Sequence, residues 1–316
     1  DPPVHIVNLE GTSHEEQRRR IQAEAAALQK SLDLVHGPIA RFAHFDLGAG
    51  APGRLLILVH HLAVDVVSWR IVLEDLELGI EQARQGGAIR LPAVTSRLAQ
   101  WSTALLDLAQ SDSLAGELPY WGALADRPAA PLRVDHDLGP ATVASAQVVS
   151  VSVPLELTRA LIADAPRAYN TQVNDLLLAA LARTFAPWTG QPGLLVDVEG
   201  HGRHPIADDI DVSRTVGWFT TMFPLWLETG ADELGACVTS VKEQVRRVPQ
   251  TGFGYGLLRH LRTHPDAERL TQLPIPDVLF LYLGQFDRGA PRGLFRPALE
   301  STGGGTSPDA RRHHLL

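Results

Sequence analysis

Apolar and polar positions along this chain change period several times, and each change marks an element. Ser13 to Glu16 has the spacing of a capping box, ahead of a helical pattern that runs to about Leu32. Ile39 to Leu47 and Arg54 to Val59 read as strands with a glycine-rich turn between them. Beyond His60 and His61, residues Trp69, Val72, Leu73, Leu76 and Ile80 recur at helical spacing. Glu74, Asp75, Glu77 and Glu81 occupy much of the remaining surface of that helix, and Gly86-Gly87 ends it. Further helices are expected over Ser96 to Gln110 and Leu114 to Leu124. Pro128 to Pro140 is rich in proline and polar residues without any period, as a linker would be. In the second half, Val149, Val151 and Val153 alternate with Ser150 and Ser152 as in a strand. Helices follow near Leu155 to Ala163 and Thr171 to Ala186, then a short buried-type strand, Leu194 to Val198. A strand through Phe219 to Leu227, a helix from Ala231 to Val248 and a strand Val278 to Leu283 complete the pattern. Helices and strands mix in both halves, so the predicted fold class is α/β with two subdomains, 1–127 and 146–316, joined by a linker over 128–145.

Composition narrows the function classes. A chain of 316 residues can bury two cores. Its net charge of −8 argues against a nucleic-acid partner, whose phosphates call for a basic surface. No apolar run is long enough to span a bilayer, and no basic-then-apolar leader opens the chain. Asp1-Pro2-Pro3 at one end and Leu315-Leu316 at the other read as cuts from something longer. The one cysteine, Cys237, lies among Leu234, Val238 and Val241 and reads as a buried, inert thiol. Without a second cysteine no intrachain disulfide forms, which suits a cytoplasmic location.

Candidate chemistry concentrates in two places. His60 and His61 stand where the apolar run Leu55 to Val59 ends, and Asp65 follows. An imidazole takes and gives a proton near neutrality, which makes His61 a candidate proton carrier. Neighbours on a strand face opposite ways, so one histidine supports the fold while the other enters a site. Taken alone, such a pair more often packs than catalyses. Asp65 is a second catalytic group, an N-cap or an anchor for an arginine, and its spacing alone favours the structural readings, since Asp is a favoured N-cap before an apolar-periodic helix. The second place is Glu199-Gly200-His201-Gly202-Arg203-His204, where a carboxylate at a strand end is followed by glycines that permit close backbone approach. Glu199 there is a site carboxylate or a solvated turn residue, and Arg203 a surface cation or the partner of a buried carboxylate.

Other patterns lead nowhere. Gly48 to Gly53 matches G-x-G-x-x-G, but a strand follows it rather than the helix a pyrophosphate needs, so it reads as a hairpin turn. No His-Glu-x-x-His pattern suggests a metal, and no G-x-S-x-G elbow suggests a serine nucleophile; Ser68 lies inside a helix start. The aromatic and apolar residues from Trp218 to Trp226 read as core.

Six segments in order carry a family resemblance. His60-His61-Leu62-Ala63-Val64-Asp65 resembles the H-H-x-x-x-D-G signature of the condensation-type domains of nonribosomal peptide synthetases. Its continuation, Ser68 to Leu76, resembles the epimerization branch, as do Thr171 to Leu178, Glu199 to Arg203, Arg214 to Thr220, Gly252 to Leu258 and Tyr282 to Asp287. The resemblance implies two subdomains similar to chloramphenicol acetyltransferase, arranged as a V-shaped pseudo-dimer with the active site in a tunnel between them. The N-terminal one would be incomplete here, lacking its first strand and helices, and the closing segment after Leu316 would be missing. It implies epimerization of the Cα of an aminoacyl or peptidyl thioester, L to D, with no bound cofactor. The substrate would arrive on the 4'-phosphopantetheine arm of a peptidyl carrier protein domain upstream in the same synthetase, beside neighbouring modules, with no nucleic-acid or membrane partner. His61 and Glu199 would form the acid/base pair. Asp65 and Arg203 would pair to hold the site, Tyr282 would donate a hydrogen bond, and His60 and Asp75 would support the structure. Three positions depart from the family pattern: Val66 replaces a glycine, Leu281 an asparagine and His204 a common carboxylate. A peptide-bond-forming condensation domain and a catalytically silent carrier-docking module are the alternatives.

Overall fold

The computed structural model describes residues 4–128, 131–136, 139, 141–228, 233–284 and 294–316. The chain divides into two compact units. One comprises Asp1–Leu98, Ser213–Trp218 and Gln285–Ser307; the other comprises Ala99–Val212, Phe219–Gly284 and Pro308–Leu316.

In the first unit, β1 (Val4–Asn8), α1 (His14–Lys30), β2 (Ala40–Asp46), β3 (Arg54–Val59) and α2 (Val66–Arg84) follow in order. β1 pairs parallel with β2, and β2 antiparallel with β3. Ser13 caps α1 by accepting the Glu16 amide, while the Glu16 carboxylate turns instead to Arg19. Alternation along the strands places Val7, Ala43, Phe45 and Leu56 on one face, where they pack with Ile21 and Ala25 of α1. The turn from Gly48 to Gly53 joins β2 to β3, so it is the hairpin connection expected, with no helix to receive a phosphate.

The second unit contains α3 (Leu98–Ala109), α4 (Asp112–Ala115), α5 (Leu118–Gly122), α6 (Leu155–Arg159), α7 (Ala165–Tyr169) and α8 (Val173–Thr189). β4 (Gly193–Gly200), β5 (Thr221–Glu228), α9 (Leu234–Arg246), α10 (Phe253–His260), α11 (Pro265–Glu268) and β6 (Val278–Phe280) complete it. β4 lies between antiparallel β5 and parallel β6. Its Leu194 to Val198 run is buried throughout, as a strand covered on both faces requires.

Three expectations change. The helix expected over Leu114 to Leu124 is broken: Gly116 ends α4 and Pro119 opens α5. The strand expected at Val149 to Val153 is absent, because alternation sets facing but a strand exists only with a paired neighbour, and the described residues supply none. Those valines are exposed. The compact units also do not follow the expected division at 128–145. Trp101, Leu114 and Trp121 join one core with Phe223, Phe253 and Tyr255, which assigns the helices after Leu98 to the second unit. The described part of the expected linker has no helix or strand, yet Leu132 is buried and its N–H donates to the Asp277 carboxylate at 2.7 Å.

Glu117 lies inside this second core, accepting the Trp121 indole N–H at 3.0 Å through Oε2. Burial pushes its carboxyl above the ordinary range, against the lowering effect of that hydrogen bond. A raised carboxyl opposes folding once the unfolded chain ionises, so its penalty is absent in acid, grows as pH rises from the ordinary carboxyl range and levels off above the raised folded-state titration. Glu117→Gln keeps an acceptor for Trp121 and removes the charge. The variant is expected to be more stable relative to the parent at pH 8 than at pH 4. Urea denaturation at both values measures it, and an equal effect at both contradicts the assignment.

Candidate active site

The apolar ladder of β3 stops at Val59, and the chain turns at once. His60 is extended and caps the short 3-10 turn His61–Ala63, its Nδ1 accepting the Leu62 N–H at 3.2 Å. That nitrogen is committed to the backbone. His61 opens the turn with its side chain exposed. Asp65 is the N-cap of α2 and accepts the Ser68 N–H at 2.7 Å while only 3% exposed. Val66 is the first helical residue, so the conformational freedom of a glycine is not needed there, and its side chain faces outward.

A piece of distant chain, Ser213–Trp218, belongs to this unit. Ser68 Oγ donates to the Gly217 carbonyl at 2.9 Å and accepts the Gly217 N–H at 3.0 Å, a reciprocal buried pair. Thr215 Oγ1 donates to the Ser96 carbonyl at 2.6 Å. Arg214 forms ion pairs with Asp75 and Glu74. Trp218 then lies in T-shaped contact with His61, ring centroids 5.6 Å apart. The expectation that Trp218 is core is corrected: it is 47% exposed, whereas Phe219, Phe223, Leu225 and Trp226 are buried. Trp218 and Ser68 are the residues that sequence reasoning missed. The available signal was the segment Arg214 to Thr220, which the family resemblance already sets apart.

In the second unit, Glu199 lies within β4 opposite Met222, and the ladder continues to Gly200 against Thr221. The strand therefore runs two residues past its expected end, and Glu199 is half-buried. Gly202 is left-handed, with φ +66°, and a Cβ there would stand 1.5 Å from the Phe219 carbonyl oxygen. This close approach turns the chain so that the Arg203 guanidinium lies 4.0 Å over the Phe219 ring and donates to the Val212 carbonyl at 2.6 Å. The His201 and His204 rings stack at 5.1 Å. His204 Nε2 meets Thr251 Oγ1 at 3.3 Å, and that hydroxyl donates to the Gln250 carbonyl. Burial, then the neighbouring His201, holds His204 below the usual imidazole range.

Tyr282 follows β6 and is half-buried; Gln285, Phe286 and Asp287 of its segment lie outside the described residues. Asp197, which sequence reading passed over inside an apolar strand, is buried and bonded to His314 Nε2 at 2.8 Å. Burial raises its carboxyl, and His314 opposes the rise. Cys237 is buried in α9, which pushes its thiol up. The candidate residues thus fall into two sets: His60, His61, Asp65 and Asp75 in the first unit, Glu199, Arg203 and Tyr282 in the second. Among the described residues no group of three or more His, Cys, Asp or Glu could hold a metal ion, and no helix is long and apolar enough to cross a membrane.

The model of the family described as condensation domain matches residues 1–295. The chain belongs to the condensation-domain family. The domain is 42% identical over 317 residues, 99% of its length, to one of the linear gramicidin synthase proteins of Brevibacillus parabrevis. It is likewise 42% identical over 321 residues, again 99% of its length, to chondramide synthase of Chondromyces crocatus. It spans only 4% and 8% of those relatives. Among solved structures, the epimerization domain from the third module of tyrocidine synthetase B matches 100% of this chain and 70% of its own, with a TM-score of 0.88 and 32% identity. The X-domain from teicoplanin biosynthesis matches 87% of this chain and 59% of its own, with a TM-score of 0.65 and 20% identity, a likeness of fold. The α/β fold expected from the sequence is therefore the fold of this family.

Proposed function

We propose that this condensation-family domain inverts the Cα of an aminoacyl or peptidyl thioester presented on the phosphopantetheine arm of a carrier protein domain in a nonribosomal peptide synthetase. The observation that carries the reading is the likeness to an epimerization domain along the whole chain at 32% identity. Against a condensation domain of the calcium-dependent antibiotic synthetase the likeness covers 79% of the chain at 22% identity.

In this reading the Cα–H bond breaks as one group takes the proton, and the electron pair moves into the thioester carbonyl to give an enolate. A second group then returns a proton to the opposite face, and the carbonyl re-forms. Composition is unchanged, and the two groups end with their protonation exchanged. His61 and Glu199 are the two groups, one on each face. Tyr282 donates a hydrogen bond to the developing oxyanion. Asp65 and Arg203 pair to hold the histidine turn, and His60 and Asp75 maintain its support. The thioester arrives with the carrier protein, so the domain holds no resident cofactor.

The test loads the carrier of a complete module with an L-aminoacyl or peptidyl thioester in deuterated water. Deuterium at Cα with mixed chirality supports the reading. Peptide-bond formation with a second loaded carrier and no exchange makes the domain a condensing enzyme, and carrier binding with neither reaction makes it a docking module. Glu199→Gln is expected to separate the two proton steps: exchange from one stereoisomer persists while inversion falls about 10²-fold or more. Chiral analysis of the released residue measures both, and unaffected inversion counts against a two-group mechanism.

A further inference from the structure

His61 is exposed and stands in a three-residue turn, so its own element does little to fix the direction of its ring. Proton transfer to or from a carbon requires that direction to be set. The one aromatic contact described for the imidazole is Trp218, T-shaped at 5.6 Å with 65° between the ring planes. Edge-to-face contact is the favoured geometry for such a pair, since the ring edge is attracted to the facing π cloud.

The backbone beneath the indole is fastened more firmly than its exposure suggests. Gly217, its immediate neighbour, exchanges two hydrogen bonds with Ser68. The Ser68 N–H is in turn held by Asp65, the cap of α2, four residues after His61. One helix start therefore anchors both the histidine turn and the backbone that carries Trp218. Two residues earlier, Thr215 is tied to Ser96, and Arg214 is tied to Asp75 farther along α2. Gly217 and Thr215 are buried, but the indole between this anchor and the imidazole remains 47% exposed. A large aromatic placed for packing alone would be covered.

We propose that Trp218 is a positioning residue that orients the His61 imidazole for proton transfer, an inference that rests on the epimerization reading for its catalytic consequence. The test uses the complete synthetase module carrying Trp218→Phe, Trp218→Leu or Trp218→Ala. Phenylalanine keeps a ring, leucine keeps apolar bulk without one, and alanine removes both. In the Leu and Ala variants kcat for Cα deuterium wash-in is expected to fall roughly tenfold at unchanged KM, while Phe stays within about threefold of the parent. In parallel, ¹³C relaxation of the His61 ring Cε1–H, assigned against His61→Ala, is expected to report a more mobile ring in Leu and Ala and a parent-like ring in Phe. A merely structural role would lower stability without moving either the kcat-against-KM split or the ring relaxation.

Unchanged kcat and unchanged ring relaxation in Trp218→Leu overturn the proposal. If Trp218→Ala fails to fold, the Phe and Leu variants, which keep bulk at the site, decide it. Absence of exchange in the parent module removes the epimerization reading alone, because the ring relaxation still decides whether Trp218 positions His61.

Discussion

His61→Ala is expected to lower Cα deuterium exchange by about 10²–10⁴-fold, the range over which a positioned acid or base contributes. Folding is expected to survive. The side chain is exposed, and surface substitutions away from buried networks usually stay within about 0.5 kcal/mol. Loss of activity with an unchanged urea midpoint therefore isolates chemistry from stability. His60→Ala provides the contrast. It deletes the acceptor for the Leu62 N–H, so it is expected to act through the turn, destabilising it by about 1 kcal/mol. Parent-like exchange by His61→Ala, measured by mass spectrometry of the hydrolysed residue, removes that histidine from the mechanism and requires another group to carry the proton.

Gly202→Ala is expected to be the most damaging small substitution in the second unit, at about 3 kcal/mol. Two independent costs meet there. The backbone is left-handed, which an L side chain adopts poorly, and the new Cβ would collide with the Phe219 carbonyl, a main-chain atom leading into β5. The chain relieves the collision only by shifting the turn, which moves Arg203 off the Phe219 ring. Gly200→Ala, two residues earlier, meets the Thr221 hydroxyl at 3.0 Å with no left-handed backbone to maintain, and is expected to cost far less. Urea denaturation of both variants compares them directly. A Gly202→Ala protein within about 0.5 kcal/mol of the parent contradicts the geometry.

Much of this was legible in residue patterns. The strand-length runs at β2 and β3 and the period-3.6 run of α2 survive almost to the residue, because each has a strong apolar character and a clear stop signal. The tight turn after Glu199 was legible through its glycines, and Gly202 explains why glycine is needed there. Non-local relations were not legible. Val149 to Val153 alternates faultlessly but has no described partner, and pairing is not encoded in one segment. Trp218 looks like its buried neighbours until the buried Ser68–Gly217 pair fixes its backbone in the other unit. Asp197 was hidden because nothing in an apolar strand announces a histidine 117 residues later.

The Ser68–Gly217 pair also sets a timetable for synthesis. Its two halves are 149 residues apart, so at usual elongation rates Ser68 emerges roughly 7–30 s before its partner. For that interval α2 can form on the ribosome, but the serine hydroxyl beneath the histidine turn has no Gly217 to bind and no indole stands beside His61. The histidine turn is thus finished only after much of the second unit has been made. A fragment ending near Leu98 would carry the H-H-x-x-x-D motif without the residues that lock it, so dividing a synthetase between its apparent halves separates a motif from its own clasp.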